Sequence, residues 1–249
     1  MTIPLFDPHT LLVAALVVAV AYVVFGISAF GAALITVPML SYFFPLDFVL
    51  PVCVLLDVAA ALAIGTRFPR NADRSELKWL APFALIGAVL GVTLLVNLPR
   101  QAILIALGAF LVVYGAYALR QSETAGSISR GWAPAAGFIG GTMGTLFGTA
   151  APPYAIYLGR RIRDKAVLRA TLSAMVLLST SIRALVFAAS GLMLADRLLM
   201  FVILLPFALL GLWYGSRLHG RISRGQLARF ISGVLLLMGV SLIVRALAA

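Results

Sequence analysis

Helix breakers in the middle of a hydrophobic run leave a chain few ways to fold. From Gly137 to Leu158 this chain places Gly140, Gly141, Gly144 and Gly148 ahead of Ala150-Ala151-Pro152-Pro153, all within an apolar stretch. Irregular backbone at membrane depth is tolerated only where protein buries it or where it lines a cavity. A weaker copy runs from Gly26 to Leu40. Phe30-Gly31-Ala32-Ala33 leads to Pro38 there, as Phe147-Gly148-Thr149-Ala150 leads to Pro152. Two Gly/Pro-interrupted apolar segments at matching places in two halves are the sequence mark of a transporter's central binding site.

Composition supplies the membrane. The 249 residues are 63% hydrophobic and 11% charged, with a mean hydropathy of +1.10. That is an integral membrane protein. No polar stretch is long enough for an additional soluble domain. The net charge of +11 reads as a topology signal, and no nucleic-acid partner is expected. The single cysteine, Cys53, lies in an apolar run and is expected to be a small packing residue. Asp7 and His9 precede the first apolar run with no Lys or Arg, so no signal peptide is expected there.

The first apolar stretch, Leu11 to Phe44, would be ~50 Å long as one helix, more than a ~30 Å hydrocarbon core needs. It must break, and Gly26 to Ala33 is the place. Runs at Phe48–Thr66, Trp79–Val96 and Ala102–Leu119 follow, then a polar linker, Arg120–Gly131. The order then recurs as Trp132–Gly159, Ala170–Leu194, Leu198–Tyr214 and Leu227–Leu247. Ala81-Pro82-Phe83-Ala84-Leu85-Ile86-Gly87 matches Leu205-Pro206-Phe207-Ala208-Leu209-Leu210-Gly211 at an offset of 124 residues, which Gly115 and Gly239 keep. An internal repeat follows. The expected organisation is a first repeat at 1–119, a cytoplasmic linker at 120–131 and a second repeat at 132–249.

Charge sets the orientation. Suppose each broken segment is a hairpin that returns to its own side. Each repeat then has three further spans, and the second repeat is inverted. Arg67, Arg70, Arg74, Lys78, Arg120, Arg130, Arg160, Arg161, Arg163, Lys165, Arg169, Arg217, Arg221, Arg224 and Arg229 fall on one side. Only Arg100, Arg197 and Arg245 fall on the other, and Arg183 lies inside a span. With each broken segment as a single crossing, the basic residues divide almost evenly. The positive-inside rule favours the first arrangement, with both termini outside. The expected fold is therefore an all-α polytopic membrane protein of two inverted repeats. Each repeat is a glycine-broken hairpin, re-entrant or of two short crossings, plus three transmembrane helices.

In such a hairpin the second half-helix begins near the midplane, with unpaired N–H groups and the positive end of its dipole. Gly31-Ala32-Ala33 and Gly148-Thr149-Ala150 occupy those starts. Small residues let the backbone approach a bound group, and two such starts face to face would hold one small anion.

At these residues the chain resembles the sulfite exporter TauE/SafE family of bacterial membrane permeases. The resemblance lies in the glycine-rich breaks followed by proline in both halves. It lies also in the Pro-x-x-x-x-Gly-x-x-x-Gly segments at Pro82-Gly87-Gly91 and Pro206-Gly211-Gly215, and it covers essentially the whole chain. It implies a bacterial plasma-membrane protein that moves sulfite, sulfoacetate or related organosulfonates. The chain departs from the family pattern at Gly31-Ala32-Ala33 and Ala150-Ala151, where the family tends to glycine. Each Cβ narrows the backbone's freedom and reshapes the site.

Two charges lie inside spans. Arg183 could hold a sulfonate through its planar fork of donors; its bland alternative is an arginine that snorkels or pairs with a backbone carbonyl. Asp57, the single acid within a span, could pair with Arg183 or exchange a proton; its bland alternative is a protonated carboxyl bonded to a neighbour. Ser28, Thr36, Thr145, Thr149, Ser179 and Thr180 are possible donors, although such residues in membrane helices mostly bond their own backbone. Tyr154 and Tyr157 could close the site, and their bland alternative is anchoring at the interface, since Arg160-Arg161 follow at once. The Gly87/Gly91, Gly211/Gly215 and Gly140/Gly144 pairs read as helix-packing faces. Basic residues at Arg160–Arg169 read as topology and lipid contact. His9 and His219 are too isolated for a metal site, and no cofactor is expected.

The candidate substrate-binding set is Gly31, Ala32, Ala33, Gly148, Thr149, Ala150, Tyr154 and Arg183, with Asp57 for coupling. The broken helices in both repeats favour an anion permease over an enzyme, and an anion channel of the same fold, which the residues do not separate from a carrier, is the alternative. A membrane-embedded transferase would need a nucleophile-and-base constellation, and the sequence offers none.

Overall fold

The computed structural model describes residues 7–28, 32–63, 71–119, 128–218 and 224–248. Ten helices follow in order: α1 (Pro8–Ser28), α2 (Ala32–Leu40), α3 (Leu46–Ala63), α4 (Arg74–Asn97), α5 (Arg100–Leu119), α6 (Ala133–Phe147), α7 (Ala151–Arg161), α8 (Lys165–Ala189), α9 (Ala195–Leu218) and α10 (Arg224–Ala248). A 3₁₀ turn at Arg130–Trp132 precedes α6. No strand occurs among the described residues.

Six helices there are long and apolar enough to cross a membrane: α1, α3, α4, α5, α8 and α9. Leu16, Leu62, Val113, Leu185 and Leu237 are all more than half exposed, as lipid-facing positions on an all-α membrane protein should be. One expected break falls between α6 and α7, at Gly148, and the other falls between α1 and α2, on residues 29–31, which lie outside the described residues. They are unequal. At 21 residues, α1 is ~31 Å long and can cross the hydrocarbon core unaided, so the first arm exceeds a re-entrant half-helix. At 15 residues, α6 is shorter.

Backbone-to-backbone contact at small residues organises the bundle. A Cβ on Gly137 would strike the Leu80 carbonyl and one on Gly141 the Ala84 carbonyl, while Gly87 sits against Phe138 and Thr142 and Gly91 against Thr142 and Thr145. These contacts lock α4 and α6 side by side with their registers rising together. Gly211 and Gly215 do the same against Ala19 and Val23, making α9 parallel to α1. α5 and α10 run antiparallel. A Cβ on Gly108 would come within 2.8 Å of the Gly239 carbonyl, and one on Gly239 within 2.7 Å of the Gly108 carbonyl. The Gly-x-x-x-Gly segments at Gly87 and Gly211 are thus packing faces in the membrane-protein sense.

α2 and α3 lie inside these pairs, and α7 and α8 pack against α6 and α4. Every residue of α2 except Met39 is buried. The buried face of α8 is a single stripe, Thr171, Met175, Ser179, Arg183 and Phe187, the spacing that puts residues on one side of a helix. Asp73 and Asp164 cap α4 and α8, each accepting two backbone N–H groups, as N-cap aspartates do.

Candidate functional site

The stripe on α8 carries Arg183 to the point where α6 ends. α6 stops because Gly148 turns left-handed, with φ 78°, a region that glycine enters at little cost. The turn points two carbonyls at Arg183. Its Nη1 donates to the Gly144 oxygen at 2.9 Å and to the Gly148 oxygen at 2.6 Å. Its Nη2 donates to Asp57 Oδ2 at 2.9 Å. Tyr22, from α1, donates its hydroxyl to Asp57 Oδ1 at 2.8 Å. Arg183 and Asp57 side chains are 5% and 14% exposed, so the pair is largely withdrawn from solvent. Arg183 Nε is buried with no hydrogen-bond partner among the described residues.

The expected pairing of Asp57 with Arg183 is therefore present, and so is the bland alternative of backbone carbonyls. The two are one arrangement. Negative partial charge at the end of α6 and the Asp57 carboxylate together balance a guanidinium that lipid depth would otherwise penalise.

The two breaks also meet. A Cβ on Gly148 would lie 3.1 Å from Ala33 Cβ and 2.8 Å from Val37. Ala32 and Ala33 open α2 and are buried. Gly31, the remaining member of that start, lies outside the described residues. Thr149 is buried, and Ala150 stands at the N-cap of α7. The two starts differ as donors. Pro152 and Pro153 occupy the first turn of α7 and have no N–H, so α7 offers fewer free amides than α2. The cationic centre of the site is Arg183 more than a helix end.

Tyr154 is fully buried, its ring against Gly140 and its hydroxyl 3.4 Å from Ser179 Oγ. It supports the wall between α6 and α8. The Gly140 and Gly144 pair therefore differs from the other glycine pairs: Gly140 makes room for the Tyr154 ring, and Gly144 lends its carbonyl to Arg183. Thr36 and Thr145 donate to their own helices, at Ala32 and Gly141. The Ser28 side chain lies outside the described residues.

Sequence reading names neither Tyr22 nor the Gly144 and Gly148 carbonyls as partners of the buried pair. Tyr22 had one available signal, since it is the single polar-tipped side chain between Thr10 and Ser28. Backbone carbonyls carry no such mark.

Comparisons with known proteins identify the family. The family model described as sulfite exporter TauE/SafE matches residues 14–242. A protein of Comamonas testosteroni described as a probable inner membrane transporter protein, TsaS, is 29% identical over 191 residues, covering 76% of this chain and 80% of the relative. No solved structure matches.

Proposed function

The chain belongs to the sulfite exporter TauE/SafE family, and from that premise we propose that it carries small sulfur-containing anions, sulfite, sulfoacetate or related organosulfonates, across a bacterial inner membrane. Family and relative place it among membrane transporters rather than enzymes. The observation that carries the reading is the buried Arg183–Asp57 pair beside the meeting point of the two breaks.

A tetrahedral oxyanion can replace Asp57 at the guanidinium, since both present the paired oxygens that an arginine fork accepts. Arg183 Nε is a further donor on the same group. Asp57, once displaced, is left at depth with Tyr22 and takes up a proton. That proton couples anion movement to the proton gradient. Arg183 is buried on every side, which supports a carrier that exposes its site by moving rather than an open anion channel.

The two-repeat reading, 1–119 and 132–249 about a cytoplasmic 120–131 linker with termini outside, belongs to the same proposal. Its support is the exchange of partners: α1 with α9, α4 with α6, and α5 with α10 in an antiparallel pair.

Counterflow in proteoliposomes tests the function. Labelled sulfoacetate should accumulate against internal unlabelled sulfoacetate or sulfite, and Arg183→Ala should abolish it. No counterflow with sulfite, sulfoacetate or thiosulfate would overturn the substrate class.

A further inference from the structure

Away from the Arg183 site, a second buried carboxylate has four donors. Glu76, in the first turn of α4, has a side chain 2% exposed. Its Oε1 accepts from Arg130 Nε at 3.1 Å, Arg130 Nη2 at 3.0 Å and Arg161 Nε at 3.0 Å. Its Oε2 accepts from the Tyr157 hydroxyl at 2.7 Å. One acid thus joins α4, the turn before α6 and the last turn of α7. We propose that Glu76 is a latch that closes the transport path on the face carrying Arg130, and that Arg161 and Arg130 release it whenever the path opens there. This rests on the transport reading above.

Three observations separate a latch from a plain structural pair. The first is the order of charges. Arg130 and Arg161 side chains are 40% and 34% exposed, so the bases stand between the acid and water. Two cations on one anion leave an excess positive charge at that mouth. An anion arriving there meets the arginines first and competes with Glu76 for their donors. A buried ion pair adds little stability over an apolar replacement, and its best-attested use is to set one arrangement against another.

The second is what the latch holds. α7 begins at Ala151, just beyond Gly148, whose carbonyl is bonded to Arg183. It ends at Arg161, on Glu76. Tyr157 and Arg161, one turn apart, present the same helix face to Glu76. α7 is a strut of ~16 Å between the candidate anion site and the latch.

The third is room to move. Between α7 and α5 lies an apolar groove of about 430 Å³, lined by Tyr114, Met143, Pro152, Pro153 and Tyr157 among others. No protein fills that groove among the described residues, so α7 has space to swing there once Glu76 lets go.

Thiol accessibility tests the latch. In a Cys53→Ala background, Thr149→Cys reports on the site and Ser129→Cys marks the face that carries Arg130. An impermeant thiol reagent is applied to right-side-out and inverted vesicles. Glu76→Gln keeps the shape and removes the charge. It should raise Thr149→Cys modification from the Ser129 face by roughly tenfold, the effect of losing a charged hydrogen bond, and leave the other face unchanged or slower. Arg161→Gln should act in the same direction, and it decides the matter if Glu76→Gln fails to fold. An unchanged rate, or an equal rise from both faces, overturns the latch. The readout needs no substrate. A one-sided response in a protein without counterflow would therefore uphold the latch and count against the sulfur-anion substrates alone.

Discussion

Removing Arg183 alone and removing it together with Asp57 should differ sharply. Arg183→Ala leaves a carboxylate at depth beside Tyr22, and breaking one side of a buried pair destabilises by about 3–5 kcal/mol. Arg183→Met with Asp57→Leu removes both charges and should recover part of that loss, because apolar replacements of buried pairs are close to neutral, short of the cost of the Tyr22 hydroxyl and Gly148 carbonyl that lose their partners. Thermal melts in detergent check this. Neither variant should bind sulfoacetate, so the double variant separates a folded protein from a binding one. Binding at parental affinity in the double variant would end the anion role of Arg183. Asp57→Asn should keep anion binding and lose the pH dependence of uptake, measured as proton flux in liposomes. An unaltered pH profile would remove Asp57 from coupling. Gly148 is constrained twice, by a φ of 78° and by Val37 at 2.8 Å from where its Cβ would stand. Gly148→Val should insert into the membrane and fail to transport.

Helices in this molecule are held by two kinds of glycine, and they should respond differently to substitution. Gly141 has the Ala84 carbonyl against it, so a side chain there pushes α4 and α6 apart along their length. Gly141→Val should therefore reduce the amount of folded protein in membranes, measured by fluorescence-detected size exclusion, and more than Gly148→Val, whose strain is confined to the break between α6 and α7. Equal yields for the two variants would erase the distinction. The two breaks were legible because glycine and proline inside an apolar run have few other meanings, and the Gly87 and Gly211 packing faces were legible from spacing alone. Arg183 and Asp57 were legible because a charge in a span is rare. What escaped was long-range. Tyr22 meets Asp57 across 35 residues, and Glu76 collects Arg130, Tyr157 and Arg161 from 54 to 85 residues away. No local pattern announces such meetings. The prolines that thin the donor set of α7 were visible in the sequence, but their cost became clear only once they stood in its first turn.

At the scale of the whole molecule the question is which loops share a face of the membrane. Were each broken segment a single crossing, Arg130 and Arg161 would sit on opposite faces, separated by a hydrocarbon core of ~30 Å. Both instead reach the same oxygen of Glu76. Across the molecule, Arg100 donates to the Ser41 carbonyl and Arg245 to the Tyr42 carbonyl, which gathers the end of α2, the start of α5 and the end of α10. Under the single-crossing arrangement Tyr42 and Arg245 would lie on opposite faces. These contacts group the ends of the helices as the proposed hairpin arrangement does, and under that proposal the positive-inside rule would put the Arg130 group in the cytoplasm. Single cysteines in the Cys53→Ala background check the assignment. His9→Cys, Asn97→Cys and Ser190→Cys should react with an impermeant reagent from outside, and Ser129→Cys and Lys165→Cys from inside only. The decisive pair is Ser129→Cys and Lys165→Cys. If they label from opposite faces, the hairpins are single crossings and the inverted repeat fails. If they label together but from outside, the repeat stands and the charge rule is broken in this chain.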